Sequence, residues 1–187
     1  MLEQPSYTAV LTHILSLFTI AGAAFVSLLF VAVAYLAYTK KLTKYASYLG
    51  SYIFPVGLLA SFFGMFLTLF YSQVLGFPPC DLCWYQRIFL FPQVFIFAYA
   101  WYRKDRSILP YILLLSLVGL LIAIYHHMLQ IGFDIMKPCS TAPFAVDCAK
   151  PSFIEFGFVT FPFMAVVLFG FLSVVTFVAL YFKRKGE

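Results

Sequence analysis

The chain has 187 residues, 64% of them hydrophobic and only 10% charged, against about 25% charged in a soluble domain. A water-soluble fold of this composition has no polar shell left to wrap its core, so the chain reads as a polytopic membrane protein. Its formal charge of +5 is no nucleic-acid signal, because the basic residues stand at the ends of apolar runs, where they set orientation.

The first apolar run extends from about Thr8 to Tyr38 and carries no charge, only His13. It is longer than the roughly 7–15 residues of a signal-peptide core, and Glu3 is the only charge ahead of it. It reads as a retained transmembrane helix, with a cleaved leader as the alternative. His13 has no partner visible in the sequence. The basic residues Lys40, Lys41 and Lys44 follow. A second run spans about Tyr48 to Val74 and is interrupted by Pro55, Gly57 and Gly64, residues that kink a helix or let a neighbour approach closely. Gly76-Phe77-Pro78-Pro79 ends it and leads into Cys80-Asp81-Leu82-Cys83.

The third run goes from about Trp84 to Tyr102, with Arg87 in its first turns, and ends on a polar hairpin, Arg103 to Arg106. The fourth covers about Ser107 to Ile131 and bears Tyr125-His126-His127 near its end. A polar loop, Gly132 to Glu155, then carries Cys139 and Cys148; connections longer than their neighbours are often functional. The last run, about Phe156 to Phe182, closes on Lys183, Arg184 and Lys185. Each run is near or above the roughly 20 residues needed to cross a bilayer, so about five spans are expected.

In a five-span arrangement the basic clusters at 40–44, 103–106 and 183–185 fall on one side, which the positive-inside rule makes cytoplasmic. The N-terminus and all four cysteines then share the external, oxidising face. The chain shows no internal repeat and no separate soluble domain.

Cys83 opens the third helix, where the helix dipole favours a thiolate. Arg87, four residues on, projects from the same face, and a guanidinium near a thiol lowers its pKa. An arginine in the apolar region costs roughly 2.5–3.5 kcal/mol on insertion scales unless a partner or snorkelling relieves it, and intramembrane ionisable residues are functional by default. The bland alternative makes Arg87 a headgroup anchor and Cys80–Cys83 an inert staple. Cys139 and Cys148 alone read as a structural disulfide. Facing a Cys-x-x-Cys pair, they permit thiol–disulfide exchange that moves two electrons from loop to membrane. No haem, flavin or iron–sulfur signature is visible. A lipid-soluble quinone, ubiquinone or menaquinone, fits as acceptor, with Arg87 and the nearby Trp84, Tyr85 and Phe89 to hold it. His126 and His127 lie level with the site; the functional reading gives them a hydrogen bond to the quinone or a proton route. A four-thiolate zinc site is the metal alternative, disfavoured by the wide Cys139/Cys148 spacing and the oxidising compartment.

The run Cys80-Asp-Leu-Cys83-Trp-Tyr-Gln-Arg87 resembles the DsbB family of disulfide-generating membrane oxidoreductases, in particular its shorter BdbC-like branch. The resemblance covers the chain from about Tyr48 onward and includes His126-x-Met128-Leu129-Gln130, the loop cysteine pair, and Gly157 to Pro162. Relatives of vitamin K epoxide reductase place the loop pair before the Cys-x-x-Cys; here the Cys-x-x-Cys comes first. The resemblance implies an all-α membrane fold, a four-helix transmembrane bundle (residues 45–187, with external loops 76–83 and 132–155) preceded by one additional N-terminal transmembrane helix (residues 1–44). It implies that a thioredoxin-like, DsbA-like extracytoplasmic dithiol protein attacks the loop disulfide at Cys139, that Cys148 passes the exchange to Cys80, and that Cys83 beside Arg87 reduces the quinone, with His126 near the quinone oxygen. Two features depart from the family pattern: the run before Tyr38 is an addition, and the Cys139–Cys148 loop is short. A reading from a different class remains beside this one, a membrane transport or assembly protein whose disulfides only staple its external loops.

Overall fold

The computed structural model describes residues 6–39, 46–133 and 146–186. Among these, five α-helices follow one another: α1 (Ser6–Tyr38), α2 (Ala46–Leu69), α3 (Asp81–Arg103), α4 (Leu109–Gln130) and α5 (Phe161–Gly186). An isolated Glu155–Val159 bridge accompanies them. Apolar side chains all round a helix are the mark of membrane burial, and α1, α2 with its extension, α4 and α5 are long and apolar enough to cross a membrane.

The third span expected from the sequence is not among those four. α3 is long enough to cross, but it carries Gln86, Arg87 and Gln93. Arg87 is 6% exposed and Gln93 fully buried, so these polar groups face protein. α3 packs between α2 and α4, and its apolar stretch begins at Trp84, after both cysteines.

Helices α2 to α5 form the bundle, with α4 against α5, α2 against α3 and α5, and α3 against α4. Two fully buried phenylalanines fix the close crossings. Phe97 of α3 sits where a Cβ on Gly57 of α2 would lie 2.4 Å from its ring, and Phe169 of α5 sits the same way over Gly119 of α4. Small residues at such crossings let helices approach when burial from water does not drive them together. Between α3 and α4, Ser116 Oγ donates to Gln93 Oε1 at 2.9 Å, both residues fully buried.

α5 begins later than the apolar pattern suggests. Phe156 and Gly157 both have positive φ, 52° and 79°, and Glu155 and Val159 pair across the resulting turn. The helix then starts at Phe161 with Pro162 in its first turn, where proline's missing N–H costs nothing.

α2 ends in a π-helical turn, Phe70–Val74, in which the Leu75 N–H reaches back five residues to the Phe70 carbonyl. Such single π turns are frequently found at functional sites. This turn, the start of α3, the end of α4 and the approach to α5 meet at one end of the bundle, the cysteine end.

Candidate functional site

Cys80 is the N-cap of α3, in extended conformation. Cys83 is therefore the third residue of the helix, the position from which a side chain reaches back to the N-cap N–H in a capping box. Its sulfur accepts the Cys80 backbone N–H in this way, and the Cys80 thiol also donates to it, with the two sulfurs 3.2 Å apart. The two thiols consequently ionise very unequally. Cys83 is held below the ordinary thiol value, first by the hydrogen bond from Cys80 and, more weakly, by the Cys80 N–H and the Arg87 charge, against the opposing effect of burial. Cys80 is pushed up to about 12, chiefly because its proton is committed to Cys83 and secondly by burial. The pair thus makes Cys83 the more acidic sulfur and Cys80 the less acidic one.

Arg87 follows one turn after Cys83. Its Nη2 donates to the Thr68 carbonyl of α2 at 2.9 Å, and its guanidinium carbon lies 5.0 Å over the Trp84 ring. Nη1 is buried with no hydrogen-bond partner among the described residues. A charged donor left unpaired in an apolar bundle is costly and therefore informative about what the site receives.

Cys83, Gln86 and Arg87 open onto a cavity of about 510 Å³ walled by α1, α2, α3 and α5. Phe77, Tyr71 and Phe161 line the cavity and pack on one another, Phe161 meeting Tyr71 at 4.9 Å and Phe77 at 5.7 Å, both edge to face. Trp84, Tyr85 and Phe89, expected from their sequence proximity to hold a ring, are not among its lining residues. They share a helix with the site, and Trp84 lies against the Arg87 guanidinium.

His126 is fully buried, and it stands at the sulfur pair instead of along the cavity. Gln86 donates its amide to His126 Nδ1 at 3.2 Å. Nε2 faces the Cys80 sulfur at 3.6 Å and the Gln130 side-chain amide at 3.4 Å. Cys80, Cys83 and His126 present three ligand atoms within 4.8 Å of one another, a Cys₂His set in place of the four-cysteine set considered from the sequence. His127 turns the other way, to Thr160 Oγ1 at 3.1 Å and the Phe163 ring.

Cys148 is 1% exposed and packs in one cluster with Cys80, Leu82 and Leu129, with Cys83 at its edge. Gln130, at the end of α4, donates to the Cys148 carbonyl at 3.4 Å. Cys139 lies outside the described residues. The structure thus brings Cys80, Cys83, Cys148, Arg87 and His126 to one place, with His126 at the thiols and Arg87 at the cavity. Sequence reasoning missed three contributors: Gln86, whose signal was its place one residue before Arg87, Gln130, in the run Met128-Leu129-Gln130, and the Thr68 carbonyl, which has no sequence signal.

A family model described as "Disulfide bond formation protein DsbB" matches residues 50–179, well over half of the chain. The chain belongs to the DsbB family. Among curated relatives, the SPbeta prophage-derived disulfide bond formation protein B of Bacillus subtilis (strain 168) is 40% identical over 112 residues, 60% of this chain and 74% of the relative. Disulfide bond formation protein C of the same organism is 35% identical over 122 residues, 64% of this chain and 85% of the relative. No solved structure matches the chain. Membership places the cysteine end in a family of disulfide-forming, multi-pass membrane oxidoreductases, and α1 lies wholly before the matched residues.

Proposed function

We propose that the protein is a thiol:quinone oxidoreductase that reoxidises a thioredoxin-like extracytoplasmic dithiol protein and supports disulfide bond formation. One observation carries the reading: the Cys80/Cys83 pair stands between a buried loop cysteine, Cys148, and a cavity edged by Cys83 and Arg87. Disulfides on one side and an apolar chamber on the other are what a relay from protein thiols into the bilayer requires.

The reacting unit is residues 45–187. The loop disulfide Cys139–Cys148 takes two electrons from the partner's dithiol, which leaves as the disulfide. The reduced loop then exchanges with a Cys80–Cys83 disulfide, Cys148 passing the exchange to Cys80, and re-forms its own bond. A bound quinone supplies the two-electron, two-proton acceptor, so that the net reaction is dithiol plus quinone to disulfide plus quinol. The unpaired Arg87 Nη1 is the donor suited to a carbonyl oxygen there, and the Tyr71, Phe77 and Phe161 rings offer flat apolar faces. Cys83, the more acidic of the two sulfurs, lies at the chamber, and the His126 ring lies beside Cys80. The basic clusters put the N-terminus and the cysteine end on the external face of the bacterial plasma membrane, with the C-terminus cytoplasmic.

The cluster that gathers Cys148 with Cys80 and Cys83 gives the test. In a Cys83→Ser/Cys139→Ser variant the remaining two cysteines have only each other, and non-reducing peptide mapping is expected to find a Cys80–Cys148 disulfide. Two free thiols in a folded, oxidised sample of that variant would remove the relay.

A further inference from the structure

The chamber has a wall that the family match does not cover. Leu15, Phe18, Thr19, Gly22, Phe25 and Val26 of α1 line it, and their spacing puts them on one helical stripe. Thr8 and Thr12 continue that stripe towards the helix start, with Ser16 at its edge, and all three are buried against protein.

α1 is anchored at both ends. At the cysteine end Thr12 Oγ1 and Tyr71 Oη are 3.3 Å apart and His13 pairs with Glu155 at 3.2 Å. At the other end Val33 packs on Val178 of α5. Its extensive packing is on α5, while across the chamber it faces α2 without comparable contact.

Phe18 of α1 and Phe63 of α2 both line the chamber, yet are 71% and 59% exposed. Side chains that border a cavity and also face the outside mark its mouth. In a bilayer that outside is acyl chain.

We propose that α1 and α2 frame a lateral portal, with Phe18 and Phe63 as its lips, that admits a hydrocarbon-tailed quinone from the bilayer, and that Leu15, Thr19 and Gly22 are the residues that recognise the tail. The inference rests on the quinone reading above and adds to it a division of labour. α3 holds the ring through Arg87, and α1 selects by the tail. The additional helix therefore sets which acceptors bind, not how the thiols react.

The test measures binding directly, in full-length protein carrying Trp101→Phe. Trp84, 5.0 Å from the Arg87 guanidinium, is then the sole tryptophan and reports quenching by a ring bound at Arg87. A tail-less benzoquinone and a decyl-tailed one are titrated separately. Thr19→Phe and Gly22→Leu fill the tail path in two independent ways. They are expected to weaken the decyl quinone by about 10–100-fold, the usual effect of overfilling a packed site, and to leave the tail-less ring unchanged. Arg87→Gln is expected to weaken both.

Equal affinity of both fillers and the parent for the decyl quinone, with Arg87→Gln still weakening binding, would overturn the role of α1 and leave the quinone site standing. Equal losses for the tailed and tail-less quinones in the fillers would also overturn it, because α1 would then act on the ring. Quenching by neither quinone in the parent would overturn both readings together.

Discussion

Arg87 reaches from α3 to the Thr68 carbonyl of α2 at 2.9 Å through Nη2, and the same side chain keeps Nη1 buried and unpaired among the described residues. One half of the guanidinium thus ties two helices together while the other half has no hydrogen-bond partner among the described residues. Arg87→Lys retains the charge but not the fork. The variant is expected to stay folded and to raise the quinone KM by about 10–150-fold, the equivalent of one charge-assisted hydrogen bond of about 1.5–3 kcal/mol. Steady-state kinetics over a quinone series checks it; an unchanged KM would detach Arg87 from the acceptor.

The unequal ionisation of the thiol pair predicts an unequal pH profile. A lowered pKa extends the thiolate range downward, so the reduced protein is expected to alkylate at Cys83 below the pH at which an ordinary thiol reacts. Cys80, pushed up to about 12, stays protonated throughout the neutral range and reacts little. Arg87→Gln removes one of the charges that favour the Cys83 thiolate and shifts its profile to higher pH. Mass-spectrometric mapping of iodoacetamide adducts against pH measures both; preferential labelling of Cys80 at neutral pH would reverse the assignment.

His126 touches the Cys80 sulfur, not the chamber lining, which separates thiol exchange from quinone binding. His126→Ala is expected to slow exchange between the loop and Cys80 by about 100-fold, within the usual range for a positioned proton donor or acceptor. Quinone affinity is expected to be unchanged. Gln86→Leu, which frees His126 Nδ1, is expected to reproduce part of the loss. A drop in quinone affinity with normal exchange would return His126 to the acceptor.

The Gln93–Ser116 bond is a test of the bundle itself. Ser116→Ala leaves Gln93 Oε1 buried without its partner, at a cost of about 1–3 kcal/mol. The further change Gln93→Leu removes the unsatisfied group and is expected to recover much of that loss. Thermal unfolding in detergent reads both.

These sites differ in how far the sequence discloses them. Cys80, Cys83 and Arg87 are legible because chemistry at that spacing is rare in an apolar chain. His126 is legible as a residue but not as a contact. A helix end fixes its height in the membrane, whereas its side of the bundle depends on how α4 rotates against α3. Thr68 is invisible, since a backbone carbonyl is common to every residue. The five apolar runs are readable from length, yet α3 owes its place to Gln93, Arg87 and Gln86 facing inward, which hydropathy counts against it. The function of α1 is likewise hidden: a stripe of Leu, Phe, Thr and Gly looks the same facing lipid or a chamber.

The relay from protein thiols to the chamber is tested most directly by quinone absorbance in the purified protein with a reduced thioredoxin-like dithiol protein. Quinone is expected to disappear only when the dithiol is present, one quinone per dithiol oxidised, and not at all in Cys83→Ser. Dithiol-independent loss, or undiminished turnover in Cys83→Ser, would contradict the assignment of Cys83 as the sulfur that faces the acceptor.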